Sequence, residues 1–475
     1  MSDQAHDDRK GLTESERVLG QICQRAFLSL WTYQNLFIDR KRTKNGGGKE
    51  LCDALLVFEN DLVVFSVKHC KATTSERVEV DWNRWLKRAV LASAKQAAGA
   101  TRWLIDHPHQ IFVDPQCTVP FPIEIPSGEG VRIHRVVVAL GGLEPVQRES
   151  PEVQCLIVNT MLDHSIVQGE RGDHELGHLG EIDGSQPFCH VFDEFSILRV
   201  LEELDTAKDF ILYLYERERL FREVPYGVIA ECELGLLAIY MSSINEQGEH
   251  ALPKIEDQDV VVFPADHWTW YSGSEQYRAK KEADRLSYFW DDLIERFTTH
   301  ILGGTDYFSS TKELSAHERA LRKLAGFRRL VRREHAKALF GLLQGSDNQR
   351  CCHRHVFSDD RKSLLMLVTV PIDESRTPDE YRLFRREYLG TLAYAMSHDF
   401  PDLVEIVGLA TEPGLSADDR SEDLLYLSCV DMPEAEREYA AECSRIHNRR
   451  QDIPLRYVKG QEYPDVDTPS SDSLE

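Results

Sequence analysis

Two residues interrupt otherwise apolar strands in the stretch 49–71, KELCDALLVFENDLVVFSVKHCK. Asp53 stands early in the run Leu51–Phe58, and Lys68 follows the run Leu62–Val67. A carboxylate and an ammonium are costly in a buried strand, so a chain keeps such a pair for chemistry or for each other. Glu59-Asn60-Asp61 between the runs is turn material, because Asn and Asp tolerate the left-handed backbone of tight hairpins. A hairpin would carry Asp53 and Lys68 to corresponding ends of adjacent strands.

The flanking pattern supplies the elements that must position this pair. Thr13 and Glu16 have the spacing of a capping box, opening a helix over residues 14–31. Val18, Leu19, Ile22, Ala26 and Leu30 form its buried face. Tyr33–Asp39 is the first expected strand, and Lys41–Lys49, with its three glycines, a basic solvated loop. After the hairpin, Trp82, Trp85, Ala89, Ala92, Gln96, Gly99 and Trp103 recur at helical steps and predict a helix over Trp82–Asp106. Gln96 lies on or beside that stripe. Val131–Leu140 is a further, β-branched strand. Helix, three strands, helix and strand, with an Asp and a spaced x-Lys on the hairpin, resembles the PD-(D/E)XK nuclease superfamily. Its fold is the restriction-endonuclease-like αβββαβ core, and the resemblance covers roughly residues 12–140.

The resemblance implies a nuclease that hydrolyses phosphodiester bonds in DNA or RNA with Mg²⁺ (or Mn²⁺), of bacterial restriction or defence type by fold analogy. Such chemistry needs a cation to polarise the phosphate and acidify the attacking water, and Mg²⁺ takes oxygen ligands. Asp53 would be the central ligand, and Lys68 would position or deprotonate the water or stabilise charge on the phosphate. Glu16 is either the helix cap alone or the first-helix acid that joins the metal site. Gln96 is either the glutamine that the superfamily places near metal or substrate, or a core residue satisfied by backbone. The position two before the lysine usually carries an acid, and here it is Ser66. Glu50 and Glu16 are the acids available to compensate. Strand alternation sets Glu50 opposite to Asp53, which favours Glu16. A catalytically inactive nuclease-like protein, nucleic-acid-binding or regulatory, is the second reading.

A third reading comes from His174-Glu175-Leu176-Gly177-His178, which fits the H-E-x-x-H spacing of a zinc hydrolase helix. Glu194, Glu202 or Glu203 would be its third ligand. Its glycines and acids predict instead an exposed loop between strands at Gln154–Asn159 and His190–Phe192. Downstream, residues 316–344 read as a basic amphipathic helix. Its Arg328, Arg329, Arg332 and Arg333 face either nucleic acid or this acidic chain's own carboxylates.

The expected class is α/β (α+β). A nuclease-like domain over 12–190 is followed by a helical domain over 191–310, then a basic helix with an α+β unit over 311–460. Residues 461–475 read as a disordered acidic tail. Helices are expected at Phe195–Leu204, Ala207–Arg222, Tyr226–Ser243, Tyr277–Leu302, Pro378–Ser397 and Pro433–His447. Eleven irregularly spaced cysteines predict unpaired thiols in a reducing cytoplasm. No apolar run has membrane-spanning length. The net charge of −24 argues against indiscriminate nucleic-acid binding, yet residues 1–105 carry more Lys and Arg than Asp and Glu. The expected partner is nucleic acid, chiefly DNA, with a protein partner or a second copy of the chain also open.

Overall fold

The computed structural model describes residues 13–39, 47–71, 75–163, 175–182, 187–224, 226–246, 248–255, 260–302, 314–415, 420–447 and 460–464. The basic loop 41–46, His174 and the tail 465–475 lie outside them. The chain forms two compact units, the first ending at Lys281 and the second running Glu282–Pro464. Among the described residues the fold is mixed α+β, with three sheets. Among those residues no helix is long and apolar enough to cross a membrane.

The first unit opens with α1 (Glu14–Phe27), whose capping box is formed: Thr13 N–H donates to Glu16 Oε2 (2.9 Å) and Glu16 N–H to Thr13 Oγ1 (3.3 Å). It ends before the expected residue 31, at Leu28, which has a positive φ of 68°. β1 (Thr32–Ile38), β2 (Lys49–Phe58) and β3 (Asp61–His69) follow as an antiparallel meander. Phe58 pairs with Asp61, so only Glu59-Asn60 turn, and Glu59 takes the left-handed φ of 52°. Asp61, expected in the turn, is the first residue of β3.

The expected single helix over 82–106 is three joined pieces. α2 (Val78–Trp85) leads through a π-helical stretch, Leu86–Leu91, into α3 (Ala92–Asp106). β4 (Arg132–Leu140) then pairs parallel to β3. The remaining elements of this unit are α4 (Leu143–Glu149), β5 (Ile157–Asp163), β6 (His178–Glu181), β7 (Cys189–Phe192), α5 (Glu194–Glu203), α6 (Ala207–Glu223), β8 (Val228–Ala230), α7 (Glu233–Ser242), β9 (Val261–Phe263) and α8 (His267–Gly273). The main sheet has the order β1-β2-β3-β4-β7, and a smaller one the order β6-β5-β8-β9.

Residues 191–281 therefore do not start a separate helical domain. A cut at 190 would divide β7, and β8 and β9 complete a sheet begun before it. Val228–Ala230, inside the expected helix Tyr226–Ser243, is a strand because it fills the place between β5 and β9. The cysteines also depart from expectation: Cys155 and Cys232 form a disulfide, while Cys23 and Cys52 are buried free thiols.

Facing residues identify the two sides of the main sheet. Phe65 on β3 packs with Phe27 of α1 and Phe210 of α6, at ring-centroid distances of 6.4 and 6.1 Å. The opposite side carries Val137 and Ala139 against Trp85, Leu86 and Ala89. Trp82 and Trp85 stack at 4.9 Å, and Trp85 Nε1–H donates to Leu140 O (2.9 Å). This clamps the π-helical segment to the end of β4.

α9 (Glu275–Asp284) runs across the division after Lys281, and the second unit then holds α10 (Tyr288–Leu302), α11 (Leu314–Ala325), α12 (Arg329–Gly345), β10 (Cys352–Phe357), β11 (Ser363–Thr369), α13 (Pro378–Asp399), β12 (Glu405–Thr411), β13 (Glu422–Ser428) and α14 (Glu434–His447). Its sheet runs β10-β11-β12-β13, covered by Leu389, Leu392 and Met396 of α13. The strands and helices expected after residue 360 all form. The expected basic helix breaks into α11 and α12 at Gly326–Arg328. Residues 461–464, placed in the expected tail, are part of this unit, where Gln461 O accepts from Arg333 Nη2.

Candidate active site

The sheet registers decide which candidate residues meet. Ala54 pairs with Phe65, so both face α1, and Asp53 faces the α2–α3 side. In the parallel ladder Ser66 pairs with Val137 and Lys68 with Ala139, so these also face the α2–α3 side. Asp53, Ser66 and Lys68 thus share one face where β2 begins and β3 ends. Val67 N–H donates to Asp53 Oδ2 (2.5 Å) and fixes the carboxylate across the strand pair.

Glu50 joins them, against the alternation argument. Leu36 pairs with Cys52 but Phe37 with Glu50, so β2 carries one extra residue, Leu51, opposite β1. A β-bulge of this kind shifts the alternation by one position. Glu50 is thereby turned toward Asp53, and its charge acts on Asp53 and feels that of Lys68. Glu16, on the first turn of α1, acts on both carboxylates while also closing the capping box. The cap and the site are served by one side chain.

The electrostatics are those of a crowded acid site. Burial pushes the Asp53 carboxyl up to about 7, with Glu50 and Glu16 adding to the effect, while the Val67 amide and Lys68 act against it. Burial and the Glu16 charge also raise Glu50, with Lys68 opposing. Asp53 is 9% exposed, whereas Glu50 and Lys68 are open to solvent. The cluster therefore has a buried acid at its base and charged groups at its mouth.

Two candidates sit differently from expectation. Ser66 is 1% exposed, packed within the sheet, and offers no substitute for a carboxylate at the surface of the site. Gln96 is exposed on α3, so it is not the semi-buried glutamine that the stripe suggested.

The zinc-helix reading fails on local structure. Glu175, Leu176 and Gly177 lead through a turn, with Gly177 at a φ of 82°, and His178 starts β6. No helix presents Glu175 and His178 together. His178 Nδ1 lies 3.2 Å from Glu175 Oε2 and 3.4 Å from Asn159 Nδ2. The proposed third-ligand residues are also engaged elsewhere: Glu203 pairs with Lys281 (3.0 Å), Glu202 with Arg199 (2.8 Å), and Glu194 accepts from Gly141 N–H (3.3 Å).

Three of the four arginines proposed for nucleic acid are structural. Arg329, Arg332 and Arg333 are 5%, 1% and 1% exposed. Asp291 accepts from Arg329 Nη1 (2.7 Å) and Arg332 Nη1 (2.5 Å), and Asp284 from Arg333 Nη1 (3.0 Å). Buried cations require such partners. Arg328 is the half-buried residue before α12. For Arg329, Arg332 and Arg333 the contest between phosphate and the chain's own carboxylates goes to the carboxylates.

A second cluster, which no sequence motif marks, brings ligand atoms of His134, His190 and Glu218 within 4.8 Å of one another. Its field opposes a cation. Burial depresses the His190 pKa far below its ordinary value, and Arg217, Arg135 and Arg222 add to the effect. Arg217 Nη1 lies 3.4 Å from His190 Nδ1. Donation there leaves the proton on Nε2, which is then a donor and not a ligand. His134 Nε2 approaches Asp61 Oδ1 (3.5 Å), and Tyr215 donates to the same oxygen. Burial alone would raise Asp61, but His134, Tyr215 and Arg132 outweigh it and hold the carboxyl below its usual range. This group locks β3, β4 and α6 together.

Comparison with family models, with curated proteins and with solved structures returns no match.

Proposed function

We propose that the cluster Glu16–Glu50–Asp53–Lys68 is the active site of a divalent-cation-dependent phosphodiesterase acting on nucleic acid, DNA first among the substrates. The electrostatic coupling of Glu16, Glu50 and Lys68 to Asp53, a buried acid with raised proton affinity where β2 begins and β3 ends, carries this reading. The donor set fits a hard cation. Carboxylate oxygens suit Mg²⁺ or Mn²⁺, and the excess negative charge that drives the Asp53 pKa up would be relieved by a cation. Asp53 and Glu50 would hold it, with Glu16 at the edge of the same field. When bound, the cation supplies charge neutralisation at the phosphate and acidifies water.

The side chains have separable tasks. Asp53, pinned by the Val67 amide, fixes the base of the site. Glu50 takes the part that an acid at position 66 would play, because the bulge at Leu51 presents it on the correct face. Lys68, at the mouth, neutralises charge developing on the phosphate or orients the attacking water. The αβββαβ order and the β1-β2-β3-β4 sheet support placing this unit with the restriction-endonuclease-like folds.

The test is cleavage of DNA and RNA in Mg²⁺ or Mn²⁺, comparing wild type with Asp53→Ala and Lys68→Ala. Cation-dependent cutting lost in both variants is the expected result. Cutting that survives both overturns the assignment, and a wild type that binds nucleic acid without ever cutting replaces it with a silent binding protein.

A further inference from the structure

The first unit also contains a cavity of about 900 Å³ that none of Glu16, Glu50, Asp53 or Lys68 lines. It lies against α3, β4, β7 and α6, and its size is that of a small-ligand site. Five cations line it: Lys87, Lys95, Arg102, Arg135 and Arg217. Glu181 is the one carboxylate among the described lining residues. That balance runs against the chain as a whole, in which 80 acids face 56 Lys and Arg.

In so acidic a chain a cation's ordinary fate is an ion pair, as Arg329, Arg332 and Arg333 show. Arg217 follows that rule, with Glu233 at 2.9 Å. Lys87, Lys95 and Arg102 do not, and among the described residues they form no ion pair. Arg135 is 4% exposed, and its Nε donates to Phe188 O (3.3 Å), which sets the plane of a buried guanidinium in the cavity wall. The helix is wound to suit. In a regular α-helix Lys87 and Lys95 would stand about 80° apart around the axis. The wider π-helical turn Leu86–Leu91 brings Lys87 back onto the face that carries Lys95 and Arg102. Val158, Phe188 and Phe221 give the cavity an apolar wall.

We infer that this cavity binds a phosphate-bearing organic anion of nucleotide size, its phosphates toward Arg135 and the α3 cations and its body against the Phe188–Phe221 wall. Fixed guanidinium groups and convergent ammonium groups are phosphate-binding chemistry, and the apolar wall asks for more than inorganic phosphate. The inference does not depend on the phosphodiesterase reading.

Calorimetric titration of the full chain tests it, in EDTA so that no cation-dependent site contributes. The probes are the mono-, di- and triphosphates of adenosine and guanosine, with pyrophosphate and adenosine as fragments. We expect at least one nucleotide to bind once per chain, more tightly than either fragment. Lys95→Glu/Arg102→Glu, both at exposed positions, should weaken it about tenfold or more. Asp53→Ala should leave it unchanged. The inference is overturned if no nucleotide binds, if the charge reversal has no effect, if a fragment binds as well as the nucleotide, or if binding is lost with Asp53.

Discussion

Asp53→Asn should stabilise the cation-free protein. The folded carboxyl titrates at about 7 instead of the ordinary 3.8, because burial and the neighbouring acids disfavour its charge. The native state therefore holds more protons than the unfolded state between those values, and stability falls as pH rises through that window and levels off above it. Roughly three tenfold steps in proton affinity, at about 1.4 kcal/mol each, set an upper bound of about 4 kcal/mol on the cost at pH 8. Asparagine carries no charge, and its Oδ1 can still accept the Val67 amide. Urea unfolding followed by tryptophan fluorescence reads the first unit, since every tryptophan except Trp290 lies there. The variant should exceed wild type by about 1–4 kcal/mol at pH 8, and the difference should shrink to less than half of that at pH 5. Saturating Mn²⁺ should narrow the gap from the other side by stabilising wild type alone. A variant no more stable than wild type at pH 8, or a difference that ignores pH, would refute the claim that Asp53 is a strained acid.

Glu50→Gln should lower the Asp53 pKa below about 7, read from the carboxyl resonance in carbon-detected NMR, and should reduce cation-dependent cleavage by about a hundredfold or more. Retained cleavage would return the second-acid role to Glu16. Arg332→Ala should cost about 3–5 kcal/mol in the second unit, because Asp291 loses one of its two buried guanidinium partners. The same variant should leave nucleic-acid affinity unchanged in a filter-binding assay while the protein remains folded.

The main sheet and the Asp53–Lys68 pair were legible because alternation, turn residues and helical spacing are local signals. The order of elements through β4 follows from them, and so does the capping role of Glu16. Glu50 was misjudged because alternation assumes an unbroken ladder, and the bulge at Leu51 shows only in the pairing of β2 with β1. The arginines of α12 could not be assigned to solvent or core from their spacing, since the choice turns on Asp284 and Asp291, distant in sequence. Val228–Ala230 has the apolar content of a helix start, and only the vacancy between β5 and β9 makes it a strand. The boundary near 190 failed for the same reason: sheets here are completed by strands remote along the chain. The basic cavity left no motif at all, because its cations come from the π-helical stretch, α3, β4 and α6, and the π-helical turn that brings Lys87 round to Lys95 has no composition signature.

Titration of Mn²⁺ into the protein near pH 7, repeated in two buffers of different ionisation heat, asks whether Asp53 holds the cation. An acid titrating at about 7 is about half protonated there, so cation binding should release about half a proton per site. Saturable binding with that release, abolished in Asp53→Ala, is the expected result. Absence of binding, or binding that persists in Asp53→Ala with the same proton count, would contradict it.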